Sequence, residues 1–269
     1  MADIQPSLYF FRNQTHFLKE NFIIDNEELL QKFTTSVEHL CYFTLKMDKI
    51  IDGDYKFSNE SENSDFYSAV KSHQESVRIM TEIFPKNHDF WNHLDENNRQ
   101  YYTTLSKEKY NTSTKPVFTL KEFEKYAIGK HTLAFIPIIG LDYIFEKKCN
   151  IEQLKEVYVL IFKGIQMNDD IEDLSADIQN GQWTYVRSRV EEFIKENNLS
   201  NESNLDQFEE RVFYVSGIAQ ELIHYSKESF IKARNIAIEN NYREITQWLS
   251  EIIADISKNE ELVLSLIND

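Results

Sequence analysis

Glycine and proline are scarce in this chain, with 6 and 4 among 269 residues. So few turn punctuators exclude an architecture of many short strands and favour long helices. Two cysteines, Cys41 and Cys149, are too few for a disulfide framework and fit a reducing compartment. Basic residues are in the minority: 29 Lys and Arg stand against 45 Asp and Glu, a net charge of −16. Nucleic acid, which needs a basic footprint, is excluded as a partner. An anionic substrate would be repelled unless metal ions inverted the local field. Long apolar runs are also missing. The longest, Leu133 to Leu141, contains Pro137 and falls far short of the roughly 20 residues that span a bilayer. The N-terminus, MADIQPSLYFFRNQ, lacks the basic region and apolar segment of an export signal. The expectation is a cytoplasmic protein with no integral membrane segment.

Core-forming residues are plentiful. Hydrophobic content is 41%, with 19 Phe and 14 Tyr. Residues 1–12 read as irregular, and 14–22 as a short helix. Asp25 or Asn26 caps a long helix from Glu27 to about Ile51, whose apolar positions (Leu29, Leu30, Phe33, Val37, Leu40) hold the helical period. The stretch 57–65, FSNESENSD, reads as a loop. Helices follow over 66–84 and 89–105, then a polar loop over 106–117. Beyond these lie helices over 118–145, 151–179, 187–196, 205–240 (with Gly217 as a break) and 242–267; NNLSNESNLD is a loop. No strand alternation and no dividing linker stand out. The expected fold is all-α, in a single domain over 1–269.

The most informative stretch runs from Ile161 to Val190. An apolar helical run (Val157, Leu160, Ile161, Ile165) leads into Asp169, Asp170, Glu172, Asp173 and Asp177, followed by the stop signal Asn180-Gly181. On one helix Asp169, Asp173 and Asp177 fall at i, i+4 and i+8 and share a face, drifting about 40° per step. At roughly 6 Å and an effective dielectric of 20, each neighbouring pair costs on the order of 3 kcal/mol before screening. The spacing therefore asks for a counter-charge. A hard divalent cation such as Mg²⁺, which takes carboxylate and phosphate oxygens, is the natural one. Alone, such an acid run is as compatible with a solvated helix face as with a site. The apolar run before it and its mid-chain position favour a site.

A second acidic pair, Asp48 and Asp52, stands at i, i+4 near the end of the 27–51 helix. Acids at the negative end of a helix dipole are unfavourable by a few tenths of a kcal/mol each, and a cation would offset that. Alone the pair reads as two exposed acids; beside the second cluster it reads as part of a site. The segment KYAIGKHTLAFIPIIGL is rich in small residues, with Gly129, Ala134, Pro137 and Gly140. It suits either a wall that a ligand approaches or a core helix against close neighbours. Lys130 lies in this apolar setting and needs a partner, for which a phosphate would serve. Arg78 could face a diphosphate or pair on the surface.

Asp48-xxx-Asp52 followed about 120 residues later by Asp169-Asp170-xx-Asp173 resembles the class I isoprenoid synthases. These include prenyl-diphosphate synthases, terpene cyclases and the squalene/phytoene synthase branch. MDKIID is similar to the DxxxD of that last branch, and QMNDDIED with its Asn-Gly turn resembles its second motif. The i, i+4, i+8 acids match the metal triad of terpene cyclases, with Asp at all three places. YAIGKHTLAFIP and FYVSGIAQEL resemble the helices flanking the site in bacterial members. Asn168 stands where the squalene/phytoene branch carries a basic residue, and Tyr242-Arg243 reverses the late Arg-Tyr pair.

The resemblance implies an all-α isoprenoid-synthase-type helical bundle around a central apolar pocket. Mg²⁺ ions, usually three, would bind Asp48, Asp52, Asp169, Asp173 and Asp177, with Asp170 in the catalytic set. Arg78, Lys130 and Arg187 would bind the diphosphate. Cys41, Thr44, Leu45, Phe162, Ile165 and Gln166 would line the upper pocket. The implied activity is a terpene synthase (a lyase) that ionises a prenyl diphosphate. The alternatives are a prenyl transferase, a head-to-head condensing enzyme, or a non-catalytic acidic helical binding protein. A homodimer is one assembly this reading allows.

Overall fold

The computed structural model describes residues 6–52, 65–199 and 207–268. Among them the fold is all-α, with thirteen helices and one two-stranded ladder of two residues per strand. In chain order the helices are α1 (Pro6–Arg12), α2 (Gln14–Leu18), α3 (Glu27–Asp52), α4 (Asp65–Ile83), α5 (Phe90–Thr114), α6 (Leu120–Lys130) and α7 (Ile136–Ile144). The rest are α8 (Ile151–Glu172), α9 (Leu174–Asn180), α10 (Tyr185–Glu196), α11 (Phe208–Val215), α12 (Ile218–Glu239) and α13 (Arg243–Asn268). No helix among the described residues is long and apolar enough to cross a membrane.

Two compact units emerge, and the chain passes between them more than once. The first holds the described residues through Asn97 together with Leu133–Ile151; the second holds Asn98–Thr132 and those from Glu152 onward. In the first unit α3 packs along α4, and α1 and α7 also contact α3. Asn26 caps α3, its side-chain oxygen accepting from Leu29 N at 2.9 Å. Leu30, Phe33, Val37, Leu40 and Phe43 form the buried stripe of α3. The ladder pairs β1 (Phe22–Ile23) with β2 (Glu146–Lys147).

Several expectations are corrected. Residues 6–12 are helical, because Pro6 sits at the helix start, where its missing N–H costs nothing. The loop expected at 106–117 is helix as far as Thr114, since α5 buries Tyr101, Leu105, Glu108 and Asn111 at helical spacing. The expected 118–145 helix is two helices joined by a 3₁₀ turn, Thr132–Phe135, with Pro137 in the first turn of α7. Its glycines face their own neighbours. A Cβ at Gly140 would run into the Phe33 ring, and one at Gly129 would meet Thr104. The loop over 57–64 and most of NNLSNESNLD lie outside the described residues.

The second unit is built around α8 and the C-terminal helices. Leu154, Val157, Tyr158, Ile161, Phe162 and Ile165 bury one side of α8. Gly217, at φ 86°, breaks α11 from α12 as expected, and α12 packs along α13. A capping box at Thr119 starts α6, with Glu122 returning the bond to the Thr119 N–H at 3.0 Å.

Candidate functional site

The acidic stretch ends α8 in a bend. The structure sets Asp173 between α8 and α9 at φ −89°, ψ 2°, outside both helices. The i to i−4 bonds nevertheless continue through it: Asp173 N donates to Asp169 O at 2.9 Å, and Asp177 N to Asp173 O at 2.8 Å. The bend turns Asp173 to solvent and keeps Leu174 in the core. Moving one of three stacked carboxylates into water relieves part of their repulsion. Gly181, at φ 72°, then closes α9, with Gln182 N donating back to Asp177 O at 2.8 Å.

The burial order differs from that of the i, i+4, i+8 triad. Asp170 is the buried acid, 5% exposed, while Asp169 and Asp177 are half-buried. Gln166 Nε2, itself buried, donates to Asp170 Oδ1 at 2.7 Å. Burial pushes the Asp170 carboxyl well above the usual range, opposed by the Gln166 bond and reinforced by the charge of Asp177. Asp177 is pushed up to about 7, first by burial and then by Asp173.

Lys130, at the end of α6, supplies the facing cation. Its Nζ lies 3.7 Å from Glu108 Oε1 of α5 and 5.8 Å from the centre of the Tyr126 ring. Its charge also reaches Asp170 and Asp177. The half-buried Lys130 thus stands beside a carboxylate, Glu108, that the sequence pattern did not single out. Glu108 is 5% exposed and accepts from Gln182 Nε2 at 2.9 Å. Burial, together with the Glu108 charge, keeps the Tyr126 phenol protonated.

Arg187 stands next to this group but is fully engaged. Its Nη1 donates to Gln182 O at 2.5 Å and Asp177 O at 3.2 Å, and Nε and Nη2 reach Glu209 Oε2 at 3.3 Å. It therefore ties the end of α9 to α10 and α11. The guanidinium also stands 5.7 Å from the Trp183 ring centre.

Phe162, Ile165 and Gln166 are buried on α8 in the same unit. Phe162 stacks on His131, with centroids 5.3 Å apart at 18°, and burial lowers the His131 pKa to about 4.

The remaining expected residues belong to the first unit. Asp48 is half-buried near the end of α3, and the Asp52 side chain lies outside what the structure describes. Thr44 donates to Leu40 O at 2.9 Å, and Leu45 is half-buried. Burial raises the Cys41 thiol to about 12, so it is an inert thiol. Arg78 is exposed and pairs with Glu75 at 2.8 Å and Glu82 at 3.2 Å along its own helix.

The chain's sequence matches no protein-family model and none of the curated proteins. The chemistry of the donor set is therefore what bears on function. Asp170 Oδ2 is a buried oxygen with no hydrogen-bond partner, while the Glu108 carboxylate is bonded by Gln182 and by the Tyr126 hydroxyl. Such hard donors suit a divalent cation of the Mg²⁺ kind. Among the described residues no three His, Cys, Asp or Glu side chains stand as a ready set for a metal ion. A cation there would be held by one or two carboxylates and completed by water and substrate oxygens, as Mg²⁺ commonly is.

Proposed function

We propose that this chain is a Mg²⁺-dependent class I terpene synthase-like enzyme that ionises a prenyl diphosphate and converts the carbocation into a terpene product. The observation that carries the reading is the buried Asp170. It ends the apolar helix α8, leaves one oxygen without a partner, and lies within reach of the Lys130 charge. Support also comes from the order of acidic motifs, Asp48-xxx-Asp52 before Asp169-Asp170-xx-Asp173.

Asp169, Asp170, Asp173 and Asp177 would hold the metal, with Asp48 and Asp52 as the other candidate ligands. Mg²⁺ bound there would supply positive charge to the departing diphosphate. Lys130 donates to the same anion as a point charge. Gln166 fixes the Asp170 carboxylate by holding Oδ1. The buried apolar flank of α8 keeps water from that end of the helix, as a reactive cation requires. Arg78 and Arg187, both committed to glutamates, are left out of the donor set.

The test is incubation with prenyl diphosphates of several lengths and Mg²⁺. Diphosphate release is expected, and Asp169→Ala or Asp48→Ala should abolish it. Product mass separates a synthase, which keeps the carbon number, from a prenyl transferase or condensing enzyme, which raises it. Release unaffected by both substitutions, or none at all, leaves an acidic helical binding protein.

A further inference from the structure

The acidic character of this chain is interrupted at one place in the second unit. From Thr103 to Lys121 four lysines, Lys107, Lys109, Lys115 and Lys121, stand against a single acid, in a chain where Asp and Glu outnumber Lys and Arg by 45 to 29. That acid, Glu108, is buried and bonded to Gln182, so it adds little to the surface. The stretch closes a hairpin. α5 runs out and α6 runs back, with Gly129 of α6 against Thr104 of α5 and Tyr126 of α6 bonded to Glu108. Beyond the Thr104 contact α5 continues to Thr114, a rise of roughly 15 Å.

Both arms turn lysines outward. On α5, Lys107, Tyr110 and Thr114 form a stripe opposite the buried Tyr101, Leu105 and Glu108. On α6, Lys121 and Lys125 stand opposite the buried Phe123 and Ala127. Lys107, Lys121 and Lys125 are exposed and enter no ion pair among the described residues. The nearby acids are already engaged. Glu122 is bonded to Thr119 in the capping box, and Glu124 pairs with Lys163 at 3.2 Å. The Glu122 carboxyl is held below its usual range first by Thr119 and then by the charges of Lys107 and Lys125, one from each arm. Apolar side chains stand among these lysines: Tyr110 is 66% exposed, Val117 63% and Leu120 41%. The tip that carries them is pinned from below. Trp183 Nε1 donates to Pro116 O at 2.9 Å, and Phe118 N donates to Ser188 Oγ at 2.9 Å. Exposed apolar side chains on a fixed backbone mark an interaction surface more than a frayed end does.

We propose that the tip of the α5–α6 hairpin docks this protein on the surface of an anionic lipid bilayer. Val117 and Leu120 enter the interface, Tyr110 lies at headgroup level, and Lys107, Lys121 and Lys125 meet the lipid headgroup charges. Charge complementarity selects this occupant, because the lysines have no counter-charge of their own and the side chains between them are apolar. The end of a hairpin is convex and gives an acidic peptide no groove to lie in. A nucleic acid would gain little from the aliphatic side chains and would be repelled by the acids elsewhere on the chain. A bilayer can be met end-on by the tip. Each lysine brought near an anionic surface is worth roughly fivefold in affinity. The inference goes beyond the proposed function and does not rest on it.

The experiment is flotation of the full chain with vesicles of phosphatidylcholine alone or with about 30 mol% phosphatidylserine, at about 0.15 M KCl, where the Debye length is about 8 Å. Wild type is expected to float with the anionic vesicles and not with the neutral ones. Replacing Lys107, Lys121 and Lys125 together by Gln should weaken binding at least about tenfold, and Val117→Ser with Leu120→Ser should weaken it as well. Lys232→Gln with Lys258→Gln, at exposed lysines of α12 and α13, is the control and should match wild type. No binding to anionic vesicles overturns the proposal, as does equal binding to neutral ones or full binding by the triple variant. Binding of polyglutamate or an oligonucleotide in place of vesicles also overturns it. Should the variants lose their circular dichroism spectrum, wild type at about 0.5 M KCl decides: release is expected, and unchanged binding counts against the lysines. Asp169→Ala should float like wild type, so vesicle binding and diphosphate release are read separately.

Discussion

Ser226 of α12 donates its hydroxyl hydrogen to Gly164 O of α8 at 2.9 Å, and one turn further along α12 the Phe230 ring covers the same glycine. This crossing fixes α8 two residues before Gln166, and so sets the direction of its acidic end. A Cβ at Gly164 would stand 2.7 Å from Phe230 Cε2 and Cζ, and both residues are buried. Gly164→Ala should therefore destabilise by about 1–3 kcal/mol through overpacking, outweighing the gain in helix propensity. A urea unfolding curve checks this. A variant as stable as wild type would mean that the two helices part at no cost.

Arg187 is expected to be a structural residue. Lysine cannot reproduce its forked contacts to Glu209 and to the carbonyls of Asp177 and Gln182. Arg187→Lys should lose on the order of 2–3 kcal/mol, somewhat less than breaking a fully buried pair, because Glu209 is partly exposed. Wild-type stability with diphosphate release lost would instead put Arg187 on the substrate.

Arg78 should be dispensable. It is exposed and pairs only within the surface charges of α4, Glu75 and Glu82, and pairs of that kind contribute little. Arg78→Ala should leave the melting temperature and diphosphate release as they are. Loss of release in a folded Arg78→Ala protein would return this residue to the site.

Stability should fall on acidification through His131. Burial holds its folded-state pKa near 4, below the ordinary 6.5, with the Ala127 carbonyl bond opposing the shift. Between those values the unfolded chain binds a proton that the folded chain refuses. Stability present above about pH 6.5 is therefore lost as pH drops toward 4. By pH 5 the loss is on the order of 2 kcal/mol. His131→Phe keeps the stacking on Phe162 but has no proton to take up, so its stability should change less between pH 7 and pH 5. Identical pH dependence in the two proteins would refute the assignment.

Much of the helical architecture was legible because α3, α4, α8, α12 and α13 carry their inward stripe in apolar residues. The second half of α5 was not. There the inward positions include Glu108 and Asn111, so its period is written in polar residues and reads as a loop. The same substitution hid Glu108 from the site. The acids of α8 were legible as a cluster, but their ranking was not. A straight helix from 151 to 179 makes Asp169, Asp173 and Asp177 equivalent, whereas the bend at Asp173 exposes that residue and leaves Asp170 as the buried one. The division into two units left no trace in composition, because the chain changes unit inside α5, in the 3₁₀ turn before α7 and at the start of α8 rather than at polar linkers.

That division bears on how the protein is made. Phe22 finds its ladder partner only in Lys147, and α7 reaches α3 across the same gap. Until Lys147 has left the ribosome the first unit is unfinished, while α5 and α6 are already outside and α12 and α13 are still unsynthesised. The nascent chain therefore presents the uncovered apolar faces of two incomplete bodies at once, the stage at which a chaperone has the most to shield.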